Sequence, residues 1–132
     1  MILFYAAEDN PVVQTLEQQL ASHKMVRCVS FGSVEKRLRR PRHGMEVALM
    51  IVRNSKEMDR IDAIHNLVRD LKLILVLPAC DRTMVAQAHK LGPRFVAYAD
   101  NGCDQIATVL EKMLRSRQAV QSLDLKQHPG MD

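Results

Sequence analysis

The chain has 132 residues, 47% of them hydrophobic and 26% charged, the size and balance of one globular domain, which excludes intrinsic disorder, collagen-like repeats and low-complexity architecture. The longest apolar run, Leu73 to Ala79, falls far short of the ~20 residues of a membrane-spanning helix, and no secretion signal opens the chain, so a soluble cytoplasmic protein is expected. The net charge of +4 permits acidic partners without requiring one.

Ile2 to Ala7 is an apolar run closed by Glu8, Asp9, Asn10 and Pro11, the pattern of a buried strand ending at a polar turn. Asn10 as N-cap and Pro11 at the first helical position open a helix that carries Val12 or Val13, Leu16 and Leu20 to about His23. Val26 to Phe31 reads as the second strand. Gly32-Ser33 are expected to cap a short helix from Val34 to about Arg40, which Pro41 brings to a stop. Val47 to Val52 is the third strand. The polar loop Arg53 to Glu57 then precedes one helix with the apolar face Met58, Ile61, Ile64, Leu67 or Val68, and Leu71. Leu73 to Leu77 is the fourth strand. Asp81 caps a helix bearing Met84, Val85, Ala88 and Leu91, which closes at Gly92-Pro93. Phe95 to Tyr98 is the fifth strand, and a last helix, starting near Asn101 to Asp104, presents Ile106, Val109, Leu110 and Met113.

Five strands each followed by a helix require helical crossovers and hence a parallel sheet covered on both faces, a doubly wound α/β domain over residues 1–116. Residues 117–132 are polar and read as a tail or linker, with Val120 and Leu123 able to prolong the last helix. Cys28, Cys80 and Cys103 are too few and too widely spaced for a disulfide framework or a CxxC site and are expected as buried thiols. The histidines at 23, 43, 65, 89 and 128 form no metal-ligand pattern. No GxxxxGK[ST], GxGxxG or GxSxG motif is present.

The opening Ile2-Leu-Phe-Tyr-Ala-Ala-Glu-Asp-Asn-Pro-Val-Val, together with Met58-Asp59 and Leu77-Pro78-Ala79, resembles the receiver domains of response regulators in two-component signal transduction, the CheY-like family. The resemblance spans roughly residues 1–116 and implies a five-stranded flavodoxin-like sheet of order 2-1-3-4-5 with its site at the carboxyl ends of the strands.

The same resemblance implies losses. Receivers accept a phosphoryl group on an aspartate ending the third strand, with Mg²⁺ held by that aspartate, the acidic pair and a backbone carbonyl. Counting back six residues from Met58 puts Val52 at the acceptor position, flanked by Ile51 and Arg53, so no carboxylate nucleophile is there. Pro78 stands in place of the Thr or Ser and offers neither hydroxyl nor N–H. Tyr98 replaces the lysine, and Phe95 takes the place of the switch aromatic, where it is expected to be a fixed core ring. Glu8 and Asp9 remain. Two carboxylates hold Mg²⁺ weakly at most, and their plainer role is to complement the dipole of the first helix. No other cofactor and no catalytic residue is expected.

Lys36, Arg37, Arg39, Arg40 and Arg42 form a basic patch that needs solvent, counterions or an acidic partner. Reading bases calls for a docking element, and single-strand binding for exposed rings; with no Trp, two Tyr and three Phe, direct nucleic-acid binding is disfavoured.

The reading is therefore a phosphorylation-independent pseudo-receiver that acts through a protein partner or as part of a larger regulator, such as one of transcription. In receivers the helix after the fourth strand, the fifth strand and the last helix form the partner or dimer face. Carried onto this chain, that face is Arg82 to Leu91, Phe95 to Tyr98 and Asp104 to Met113, with Met84, His89, Lys90, Tyr98 and Lys112 as contact candidates and a homodimer as one product. The alternative is a regulatory domain docking acidic protein or nucleic acid through residues 36–42. A third reading, a metal-dependent enzyme built on Asp9, Asp81 or Asp100, would need a ligand set at new positions.

Overall fold

The structure, a computed structural model, describes residues 1–40, 44–79, 81–101 and 105–113. The strands are β1 (Ile2–Tyr5), β2 (Met25–Cys28), β3 (Val47–Ile51), β4 (Lys72–Leu77) and β5 (Phe95–Tyr98). The helices are α1 (Pro11–Gln19), α2 (Phe31–Arg39), α3 (Ser55–Ala63), α4 (His65–Val68), α5 (Arg82–Lys90) and α6 (105–113). All strand pairs are parallel, as the pattern of elements predicts, and the sheet order is β2-β1-β3-β4-β5, the CheY-like layout that the resemblance implies. Among the described residues no helix is long and apolar enough to cross a membrane.

The continuous apolar runs follow from this order. The central strands β1, β3 and β4 are covered on both faces, and only Lys72 at the start of β4 escapes burial. Successive residues feed opposite layers. Leu3, Tyr5, Ala48, Met50, Leu73 and Leu75 pack with α2, α3, α4 and α5, whereas Ile2, Phe4, Val47, Leu49, Ile74 and Val76 pack with α1 and α6. Right-handed crossovers explain the split, because only the β1-to-β2 connection and the final helix run on the second face.

Several boundaries differ from expectation. β1, β2 and β3 stop at Tyr5, Cys28 and Ile51, short of the apolar runs that contain them. α2 starts at Phe31, capped by Ser30, whose Oγ accepts from the Ser33 N–H at 3.1 Å, so Gly32 and Ser33 lie inside the helix. Starting there brings the Phe31 ring onto Tyr5, with centroids 4.4 Å apart. The expected single helix after β3 divides at Ile64 into α3 and α4. α1 ends at Gln19, earlier than His23. The caps Asn10, with Pro11 at the helix start, and Asp81 are as expected. Cys28 is a buried free thiol, and burial pushes its pKa up; Cys80, Cys103 and the tail lie outside the described residues.

Gly92 leaves α5 with φ +64° and open space around its α-carbon, so a side chain there meets no clash and the cost is conformational alone. Gly92→Ala is expected to lower stability by about 1 kcal/mol, read as a lower urea midpoint at unchanged slope.

Candidate functional site at the carboxyl end of the sheet

β1 and β3 are neighbours, yet the chain leaves them in opposite directions, β1 toward β2 and β3 toward β4. Their carboxyl ends therefore bound the crevice where doubly wound folds commonly bind ligands. Glu8 and Asp9 follow β1 and are exposed. Asn10 caps α1, its Oδ1 accepting from the Val13 N–H at 3.0 Å. Arg53 and Asn54 follow β3, and Asn54 caps α3 by accepting from the Glu57 N–H at 3.0 Å.

A guanidinium spans the crevice. Arg53 Nη1 donates to Glu8 Oε2 at 2.9 Å, while its Nε and Nη2 donate to Glu57 Oε2 at 3.1 and 3.0 Å. The Arg53 backbone N–H donates to the other Glu57 oxygen at 2.6 Å, and the Tyr5 hydroxyl donates to Oε2 at 2.8 Å. Glu57 is 6% exposed and is the buried charged residue of the described chain. Burial by itself would raise its pKa; hydrogen bonds from the Arg53 side chain, the Arg53 backbone and Tyr5 together outweigh that and hold it below the ordinary value. The same environment raises the Tyr5 hydroxyl, first through burial and then through its bond to Glu57. Hydrogen bonds from the guanidinium to Glu57, foremost, and to Glu8 raise the Arg53 pKa.

Val52 is 2% exposed, packed in the layer beneath α2 to α5. Its N–H donates to the Val76 carbonyl at 2.8 Å, which extends the β3–β4 ladder past the strand end. Its side chain turns into the core and brings no oxygen to the crevice. Pro78 is exposed in the bend after β4. Asp81 is engaged as a cap, accepting from the Thr83 and Met84 N–H groups, and Asp100 is exposed in a short 3₁₀ turn.

Two expectations need correction, Met84 as a contact residue and Phe95 as a core ring. Met84 is 7% exposed and belongs to the core beneath α5, because the i, i+4 stripe with Ala88 faces the sheet. Phe95 is not a buried core ring. It lies half-buried on the edge strand β5, in a shallow 330 Å³ depression shared with Gln105, Thr108 and Val109 of α6. Tyr98 is half-buried on the opposite face, against the α2–α5 layer. His89, Lys90 and Lys112 are exposed.

In the basic patch Lys36, Arg39 and Arg40 are exposed, and Arg37 is half-buried with Nη2 3.7 Å from Met1 Sδ. Arg39 lies 3.9 Å from Glu35. The patch sits on the last turns of α2, at the far end of the sheet from Glu8. Arg42 and Asp104 lie outside the described residues.

Tyr5, Arg53 and Glu57 were not singled out from the sequence as a site. The legible trace is Asn54-Ser-Lys-Glu57, an N-cap followed three residues later by glutamate, as in a capping box. Here the glutamate reaches one residue beyond the cap, to the Arg53 N–H.

No protein-family model matches the chain, and no curated protein does. Among solved structures, the crystal structure of a "Putative pilus assembly-related protein" from Burkholderia pseudomallei is similar over 84% of this chain and 86% of that one, with TM-score 0.64 and 15% identity. This likeness supports the fold.

Since the folded-state pKa of Glu57 lies below the ordinary 4.5, the unfolded chain binds more protons in that range. The contribution of Glu57 is thus complete above about pH 4.5 and is lost as pH falls through the folded value. Glu57→Gln is expected to flatten the acid side of a stability-versus-pH curve measured by urea titration. Arg53→Ala is expected to lower the urea midpoint near pH 7 while leaving the protein folded, because Glu57 keeps its bonds from Tyr5 and the backbone while losing the guanidinium.

Proposed function

We propose that this chain is a phosphorylation-independent, receiver-like regulatory domain of the cytoplasm, non-enzymatic, working through protein–protein contact. The observation that carries this reading is the Arg53 guanidinium between Glu8 and Glu57, with apolar Val52 turned into the core beside it. A receiver needs a divalent cation and a carboxylate nucleophile at this crevice. The residues present do not fit magnesium, since Glu8 is paired with a cationic side chain and the Val52 side chain offers no oxygen donor. A fixed internal cation balances the acids instead, without a step that adds or removes charge. The absence of a hydroxyl at Pro78 supports the same view, since no side-chain donor there could follow a phosphoryl group.

The partner face of the proposal is α5, β5 and α6, with His89, Lys90, Tyr98 and Lys112 as its accessible polar members. Phe95 extends it as a partly exposed ring at the sheet edge.

Backbone NMR of the whole chain with Mg²⁺, then Mg²⁺ plus beryllofluoride, is expected to give no saturable shifts at Glu8, Asp9, Asn54 or the turns after β4 and β5. Saturable shifts there would overturn the reading in favour of a working phosphorylation switch. For the partner face, His89→Glu with Lys112→Glu is expected to abolish self-association or partner binding, measured by light scattering and pull-down, at an unchanged melting temperature. Loss of neither would remove α5–β5–α6 from the proposal.

A further inference from the structure

We propose that the amino end of the sheet, on the side covered by α2, α4 and α5, docks an acidic segment of a protein partner that seats an aliphatic side chain in the groove between α4 and α5. This surface lies at the opposite end of the molecule from the Arg53 crevice, and the inference does not depend on the receiver-like reading.

Backbone bonds set the strand openings in a row. The Glu46 N–H donates to the Met1 carbonyl, the Lys72 N–H to Glu46 and the Arg94 N–H to Leu73, at 3.1, 3.0 and 2.7 Å. Helices in parallel βα units run opposite to the strands, so the last turns of α2, α4 and α5 reach this same edge. They bring Arg40, Arg69 and Lys90 to the same end of the sheet as Lys72 and Arg94. Arg40, Arg69, Lys90 and Arg94 are exposed, and none makes an ion pair with a described residue. Glu46 and Asp70 are the acids nearby in sequence, too few to balance these cations. At the carboxyl end, by contrast, Glu8, Asp9, Asp81 and Asp100 are interspersed with Arg53 and Arg82. The charge of the domain is polarised along the strands, with the cationic excess at the amino end.

The chemistry of the groove selects among anionic partners. It measures about 280 Å³, and its apolar lining includes Val68, Leu71 and Leu91, with the exposed Arg69 and Lys90 contributing charge. His65 Nε2 lies 3.1 Å from the Leu91 carbonyl oxygen and ties α4 to the exit of α5, so the two walls of the groove are joined by a direct contact. A phosphate surface, whether lipid headgroup or nucleic acid, would use the cations and leave the apolar lining idle. A peptide alternating carboxylates with aliphatic side chains uses both, the carboxylates on Arg69 and Lys90 and one side chain between them.

The test is fluorescence anisotropy of the full chain with a fluorescein-labelled peptide of alternating glutamate and leucine. Polyglutamate and an oligothymidylate of equal charge, and phosphatidylglycerol vesicles, serve as comparison probes. The Glu-Leu peptide is expected to bind roughly tenfold more tightly than polyglutamate, and more weakly as salt rises. Arg69→Glu and Lys90→Glu are each expected to weaken it by about tenfold, while Lys56→Glu at the other end leaves it unchanged. Melting temperatures establish that the variants fold; if Arg69→Glu does not, Arg69→Ala carries the test. Equal binding of polyglutamate, tighter binding of the oligonucleotide or vesicles, no peptide binding, or variants that bind like the parent would each overturn the proposal.

Discussion

The carboxyl end of the sheet depends on one buried carboxylate keeping its charge. Taking Glu57 out of water is costly, and only directed hydrogen bonds can offset that cost. The side chain and backbone of Arg53 and the hydroxyl of Tyr5 supply them. Because these donors come from β1 and from the turn after β3, satisfying one carboxylate also fixes the spacing between two strand ends. The remaining arm of the guanidinium reaches Glu8. That outer bond, between side chains 42% and 57% exposed, is screened by solvent and adds less than the inner set. The inner bonds thus provide stability, and the outer one sets where the loop after β1 rests.

On the functional reading proposed above, this network takes the place of a reversible charge. A switch needs two arrangements separated by a few kcal/mol and a ligand that favours one of them. A guanidinium belonging to the chain is always present and always protonated, so it biases a single arrangement. Such a domain would be suited to constitutive recognition, with specificity lodged in its outer surfaces.

Much of the fold was legible because its signals are local. The apolar strand runs, Asn10 before Pro11, Asp81 before α5 and Gly92 after it are each read within a few residues, and each lies where local chemistry requires. Competing local signals account for the misplaced boundaries. Ser30 and Ser33 are both competent caps, and the choice fell to Ser30 through the contact of Phe31 with Tyr5, a tertiary term invisible in the stretch itself. The break at Ile64 was hidden because Met58, Ile61, Ile64 and Val68 remain in helical spacing across it. Met84 looked like a surface candidate because a family's contact face was transferred by element rather than by helical phase. The Glu57 network was out of reach for a different reason: none of its members is unusual where it stands, and the meaning arises only when β1 and β3 are placed side by side.

The distances along the chain within that network bear on the order of assembly. Tyr5 and Glu57 are separated by 52 positions and Glu8 and Arg53 by 45, and β1, made first, lies between β2 and β3. Closing such contacts costs chain entropy before any bond repays it. A nascent chain ending before β3 has β1 and β2 available but neither Arg53 nor Glu57 to complete the strand end. Until synthesis passes residue 57, the hydroxyl of Tyr5 lacks the carboxylate it donates to, so the same bonds that order the finished domain make the end of its first strand dependent on a helix made later.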